Sequence, residues 1–263
     1  MITSKLMGGL GNMLFQISAG YALSKQRNDE YLINTKYTEI THGYSKPKPP
    51  IDYVNTIFRK FKEYEHIPDI YDVIESGFYY TPIKESYNNI MLHGYYQSYK
   101  YFHEFRNDIL NIFEIDDNLL NELYTKYPVL HKNTVSIHVR RGDYLLLSDF
   151  HHNLESSYYK NAINQFTNDT NYLIFSDDIN WCKTIFVGDE YTFVENHDDI
   201  SDLYLMSLCK HNIIANSTFS WWGAWLNRNV DNIVIYPNKW FGPAHNNLVT
   251  YDMFPQEWKC INE

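Results

Sequence analysis

The chain has 263 residues, 44% of them hydrophobic, enough for one large domain or two smaller ones with real cores. Charged residues make up 21% and form no long single-sign run, which argues against disorder. A formal net charge of −10 argues against nucleic acid as a partner, because phosphate contacts need a basic face, so any anionic ligand must be met by a local cluster of cations.

In chain order, residues 2–7 predict a short strand, followed by the turn GGLGN (8–12) and a helix from Met13 to Lys25. Leu14, Phe15, Ile17, Ala19, Tyr21 and Ala22 suit a helix buried on most sides. Residues 42–52, HGYSKPKPPID, read as a loop because prolines punctuate them. Residues 53–130 mix aromatic and polar residues and predict short helices. After Tyr127-Pro128 the pattern changes. TVSIHV (134–139), NYLIFS (171–176), NIIA (212–215) and NIVIYP (232–237) predict strands. Stretches near 156–166 and 199–210, and TFSWWGAWL (218–226), predict helices. This alternation predicts a parallel, doubly wound α/β sheet, with a smaller half at 1–130 and a more regular half at 131–263.

In open α/β sheets, ligands bind beyond the carboxyl ends of the strands. HVRRGD begins at one such end, FSDD at another, and ANSTFS follows a third and opens a helix. Arg140 and Arg141 offer fork-shaped donors that match phosphate oxygens. The plainer alternative is an ion pair with Asp143 on a solvated loop. Neighbours in an extended chain face opposite ways, so one arginine is expected to face a ligand and the other to pair structurally. Residues 216–220, NSTFS, place hydroxyls and backbone N–H groups at a helix start; Ser217 or Thr218 can cap it while the terminus binds an anion. Asp177 and Asp178 have three readings: a divalent metal site, hydrogen bonding to a nucleobase or ribose, or a helix cap. The metal reading lacks further oxygen ligands nearby. GGLGN predicts a tight turn with exposed backbone at a helix N-terminus, but Leu14 breaks GxGxxG.

Other chemistries find little support. Eleven histidines include no HExxH pair, so a zinc site is not expected, and no GxSxG elbow is present. Cys182, Cys209 and Cys260 form no CxxC and suggest a reducing compartment rather than a disulfide framework. The first residues lack a signal-peptide apolar core, and no run approaches the ~20 apolar residues of a spanning helix. The 24 tyrosines and 6 tryptophans are expected mostly in the core, and as sugar-stacking walls second.

GGLGNMLFQ, GYYQSYKYF (94–102), HVRRGDY, FSDD, MSLCKHNIIANSTFSWWGAWLN (206–227) and YPNKWF (236–241) occur in this order. Together they resemble the α-1,2-fucosyltransferases of glycosyltransferase family eleven. HVRRGD alone is shared with α-1,6- and protein O-fucosyltransferases, whereas ANSTFSWWGAWL is much more specific. Met13 departs from the glutamine usual after GGLGN, and Ile17-Ser18 from the Tyr-Ala that often follows.

The resemblance implies a GT-B-like fold, two Rossmann-like halves facing a central crevice, with the acceptor side in 1–130 and the donor side in 131–263. It implies transfer of L-fucose from GDP-β-L-fucose to the 2-hydroxyl of a terminal galactoside, with inversion and without metal. GDP-fucose is then a substrate and no cofactor is expected. Carried over by motif, Arg140 would hold the β-phosphate, while His138 and Asp177 or Asp178 would contact guanine or ribose. Asn216, Ser217, Thr218, Phe219 and Ser220 would cradle the phosphates. Gly9, Gly11 and Asn12 would approach the nucleotide or fucose from the N-terminal half. Asp143 and His151 are the base candidates, Asp143 reading equally well as a partner of Arg141. A cytoplasmic location is expected, compatible with peripheral contact at the inner face of the membrane. The competing readings are a related transferase with another nucleotide sugar, a carbohydrate-binding module, and, more weakly, a glycosidase, for which no carboxylate pair stands out.

Overall fold

The structure is a computed structural model and describes residues 1–36, 47–65 and 69–263. It divides into two compact units, Met1–Glu114 with Leu248–Pro255, and Ile115–Asn247 with Gln256–Glu263. The division therefore falls ahead of the sequence boundary near residue 130, and a late segment rejoins the first unit. The physical reason lies in the helix Asp117–Lys126 and the turn after it: Leu123 is buried, and the Tyr127 hydroxyl lies 3.1 Å from His197 Nε2 in the second unit.

The first unit holds β1 (Ile2–Ser4), α1 (Leu10–Gln26), β2 (Tyr71–Ile74), β3 (Ile90–His93) and α2 (Arg106–Ile112). Its sheet is parallel, in the order β1-β3-β2. β1 stops at Ser4, short of the expected 2–7, because the chain turns into the glycine loop. There the Met7 N–H donates to Gln16 Oε1 at 3.0 Å, and Gln16 Nε2 donates to the Met7 carbonyl at 3.3 Å. α1 starts at Leu10 rather than Met13, with Gly9 at its N-cap. Gly8 has φ 77°, and a Cβ there would lie 2.3 Å from Asn12 Nδ2, so the turn requires glycine. β2 and β3 correct the expectation of helices only in 53–130. YDVI carries one buried side chain in four, too weak a pattern to announce a strand. Of the proline-rich loop at 42–52, residues 42–46 lie outside the described residues, and Pro50–Tyr53 forms a 3₁₀ turn.

The second unit holds α3 (Asp117–Lys126), β4 (Thr134–Val139), α4 (Ser156–Ile163), β5 (Asn171–Ser176), α5 (Ile179–Ile185), β6 (Tyr191–Phe193), α6 (Asp199–Leu208), β7 (His211–Ile213), α7 (Thr218–Trp225), β8 (Val234–Pro237) and β9 (Lys259–Ile261). Six parallel strands run in the order β6-β5-β4-β7-β8-β9. β4 and β5 match the expected ranges residue for residue. All six β4 side chains are buried, the pattern of a central parallel strand. Val135, Ile137 and Val139 pack with Tyr158 and Tyr159 of α4, Tyr172 and Ile174 of β5, and Ile213. Trp221 and Trp222 of α7 are fully buried, so SWWGAWL is core. β6, β9 and α5 were not legible as elements; β6 and β9 are three-residue edge segments with no fully buried side chain.

The strand order reverses between β4 and β7. In a doubly wound sheet this switch point opens a binding crevice at the carboxyl ends of those two strands. Among the described residues, no helix is long and apolar enough to cross a membrane. The three cysteines are unpaired.

Candidate active site

β4 ends at Val139, and the next two residues are Arg140 and Arg141. Val139 lies in register with Ser176 of β5, so these arginines emerge beside Asp177 and Asp178. Arg140 donates through Nη2 to Asp143 Oδ1 at 2.6 Å and pairs through Nη1 with Asp177 Oδ2 at 2.7 Å. A guanidinium carries five N–H donors, so two carboxylates do not exhaust it. The side chain is 28% exposed, which leaves its edge within reach of a ligand. Arg141 takes the other direction. Its Nε donates to Asp178 Oδ2 at 3.1 Å, its guanidinium covers the Trp181 ring at 4.1 Å, and its backbone N–H donates to Asp177 Oδ1 at 2.9 Å. The arginines diverge as expected, but the partner assignment is corrected: Asp143 belongs to Arg140, and Arg141 belongs to Asp178.

Gly142 makes this packing possible. A Cβ at that position would sit 2.5 Å from Asp177 Oδ2, inside contact distance of the carboxylate that holds Arg140. Asp178 also caps α5, its Oδ1 accepting from the Trp181 N–H at 3.1 Å, which bears out the capping alternative. Both oxygens of Asp177 and both of Asp178 are thus engaged by the arginine pair and the α5 cap. Their role in the geometry is to aim cations, and among the described residues no group of three or more His, Cys, Asp or Glu is placed to hold a metal ion.

On the neighbouring strand, β7 leads through Ala215 to Asn216 and Ser217. Ser217 caps α7, its Oγ accepting from the Phe219 N–H at 3.3 Å. Ser220 is buried and donates to the Ala215 and Ser217 carbonyls at 3.4 and 3.2 Å, so its hydroxyl faces the backbone. Thr218 and Phe219 are half-buried at the helix start. Asn216 is buried; its Nδ2 donates to the carbonyls of His152 at 2.8 Å and Trp240 at 2.9 Å, tying three loops together.

His138, on β4, is buried, and its ring centre lies 5.8 Å from that of Phe219. Burial, with Arg140 nearby adding to it, pushes its pKa down to about 3, so the imidazole is neutral. His151 stacks on Tyr144. Burial holds its pKa below the usual histidine range; Arg140 and His245 act in the same direction and Asp143 opposes them. Tyr144 lies 5.2 Å from the Arg140 guanidinium and donates its hydroxyl to the Asn216 carbonyl at 3.2 Å. Burial pushes its phenol up to about 12, so it stays a hydrogen-bond donor.

The structure therefore gathers His138, Arg140, Asp143, His151, Asp177, Asp178 and residues 216–220 within the second unit. Gly9, Gly11 and Asn12 belong to the first unit, at the start of α1, where Asn12 Oδ1 accepts from Gln97 Nε2 at 2.9 Å. Tyr144 and Trp181 were missed by sequence reasoning. The available signal was an aromatic residue four positions after Arg140 in RRGDY; nothing local linked Trp181 to Arg141, since β5 brings them together.

The family description glycosyl transferase family 11 matches residues 1–262. The chain is a member of glycosyl transferase family 11. Among relatives of this family 11 protein, the Escherichia coli O-antigen biosynthesis glycosyltransferase WbnK is 33% identical, the alignment covering 95% of this chain and 98% of that protein. An Escherichia coli alpha-1,2-colitosyltransferase is 32% identical, covering 100% of this chain and 99% of the other. Among solved structures, the fucosyltransferase NodZ from Bradyrhizobium superposes with a TM-score of 0.51 at 12% identity, over 84% of this chain and 91% of that one. That likeness concerns the fold: α/β, GT-B-like, with parallel sheets.

Proposed function

We propose that this family 11 glycosyltransferase moves L-fucose from GDP-β-L-fucose to the 2-hydroxyl of a terminal galactoside, inverting the anomeric centre without a metal. The observation that carries this reading is the placement of Arg140. It stands where β4 meets the switch point, braced by Asp143 and Asp177, while the capped start of α7 follows the adjacent strand β7. A cation and a helix N-terminus side by side suit a diphosphate.

As the acceptor hydroxyl attacks fucose C1 from the face opposite GDP, the C1–O bond to the diphosphate breaks and negative charge grows on the departing phosphate. A guanidinium held in advance by two carboxylates stabilises that charge more in the transition state than in the ground state. His151 is unprotonated at neutral pH and can accept the acceptor proton, whereas Asp143 is engaged with Arg140. The second unit is read as the donor side and the first as the acceptor side. A cytoplasmic location is part of this reading, and the relative named for O-antigen biosynthesis supports a glycan acceptor.

A second reading is supported by the colitosyltransferase, which matches the whole chain. Colitose is fucose without its 3-hydroxyl, so a closely similar site could take either sugar. GDP should raise the unfolding temperature and UDP should not, with about 2.7 kcal/mol of stabilisation at a hundredfold excess over Kd. Product linkage is then read with GDP-fucose and GDP-colitose, on a galactoside panel, with and without EDTA. An α-1,2-fucosyl product in EDTA supports the first reading; exclusive use of the colitosyl donor supports the second. Stabilisation by UDP instead of GDP overturns both.

A further inference from the structure

The carboxyl edge of the first unit's sheet carries a second constructed feature. Glu75 follows β2 and bonds to the segment that follows β3. Its Oε2 accepts from the Tyr95 N–H at 2.7 Å and its Oε1 from the Tyr96 N–H at 3.0 Å. The carboxylate is half-buried, and burial raises its pKa against the pull of those two N–H groups. Gly94 is needed beside it, because a Cβ there would lie 2.3 Å from Glu75 Cβ. Tyr96 is buried at φ 52°, a left-handed conformation that a bulky side chain rarely adopts, and its hydroxyl donates to the Val73 carbonyl at 3.0 Å. One carboxylate and one phenol thus hold the turn from two sides. The turn delivers Gln97, whose amide reaches Asn12 in the first turn of α1. All three strands of a parallel sheet point their carboxyl ends to this edge, where α/β sheets bind ligands.

We propose that Glu75 is a positioning residue for the acceptor sugar: it holds the Gly94–Gln97 turn so that the Gln97 amide, bonded to Asn12, meets an acceptor hydroxyl. This rests on the transferase reading above. The groups gathered here are neutral amides, which match a hydroxyl-rich uncharged sugar rather than a diphosphate. Glu75 acts only through the backbone of the turn, and an amide in its place can accept one N–H bond but not both.

The experiment compares wild type, Glu75→Gln and Gln97→Ala with GDP-fucose and lactose. Wild-type donor turnover is measured first and bears on the transferase reading alone. Expected for both variants is an acceptor KM raised about tenfold, with a smaller change in kcat and GDP affinity within about twofold of wild type. Gln97→Ala removes only a half-buried side chain and leaves the Glu75 bonds intact, so it tests the idea even if Glu75→Gln misfolds. An acceptor KM unchanged in Gln97→Ala, or a loss of GDP affinity equal to the loss of acceptor affinity, overturns the proposal.

Discussion

The imidazole of His151 lies flat on the phenol ring of Tyr144, centroids 3.9 Å apart and planes 6° from parallel. The same phenol packs beside the Arg140 guanidinium and donates to the Asn216 carbonyl, so one ring connects the exits of β4 and β7. Tyr144→Phe keeps the stack and loses one hydrogen bond. It should cost about 1 kcal/mol of stability with little change in kcat/KM. Tyr144→Ala removes a half-buried ring and should cost about 2–3 kcal/mol, less than the loss of a fully buried aromatic side chain, together with at least a tenfold loss of activity. Urea unfolding alongside steady-state kinetics checks both.

Arg140→Ala should lower kcat/KM by about 10²–10³, or about 3–4 kcal/mol, the usual cost of losing a donor aimed at developing charge. Arg140→Lys keeps the charge but cannot bridge Asp143 and Asp177 with a planar fork, and should recover only part of the loss. Full activity in either folded variant removes the leaving-group role.

Gly142→Ala tests whether the carboxylate that braces Arg140 matters. The new methyl would force Asp177 Oδ2 to move, and that oxygen holds the guanidinium. kcat/KM should fall by about tenfold, since a displacement near 1 Å in a catalytic group has effects of that size or more. Circular dichroism should show the fold intact. An unchanged kcat/KM would show that Asp177 can shift without consequence.

His138 gives stability a defined pH dependence. Its folded pKa, about 3, lies below the ordinary 6.5, so the unfolded state binds the extra proton first. Stability contributed by the neutral imidazole is full above about pH 6.5 and is lost as pH falls toward 3. The full loss is on the order of 5 kcal/mol, at about 1.4 kcal/mol per pH unit. Burial moves His151 in the same direction. Urea midpoints between pH 7.5 and about 4.5 should fall more steeply for wild type than for His138→Gln. Equal slopes would remove His138 as the cause.

Much of the second unit was legible from local pattern. TVSIHV and NYLIFS are unbroken apolar runs because strands in the middle of a parallel sheet are covered on both faces. TFSWWGAWL reads as a buried helix because a serine cap precedes an apolar run. The first unit was less legible. β2 is a four-residue strand mostly open to solvent, and β3 alternates buried and half-buried residues within a mixed stretch, so neither stands out from its surroundings.

The amino-acid sequence alone marked the candidate residues: two adjacent arginines after a core strand, acids after the next, and a capped helix start. Apolar patterning and capping are local properties, set by residue type and spacing. The tertiary structure decided who partners whom. Arg140 meets Asp177, and Arg141 meets Asp178 and Trp181, only because β5 lies in register beside β4, with more than thirty residues of chain between. Strand order, and with it the switch point between β4 and β7, is likewise a matter of long-range pairing. Such pairing depends on how whole faces pack against one another, which no short window of residues encodes.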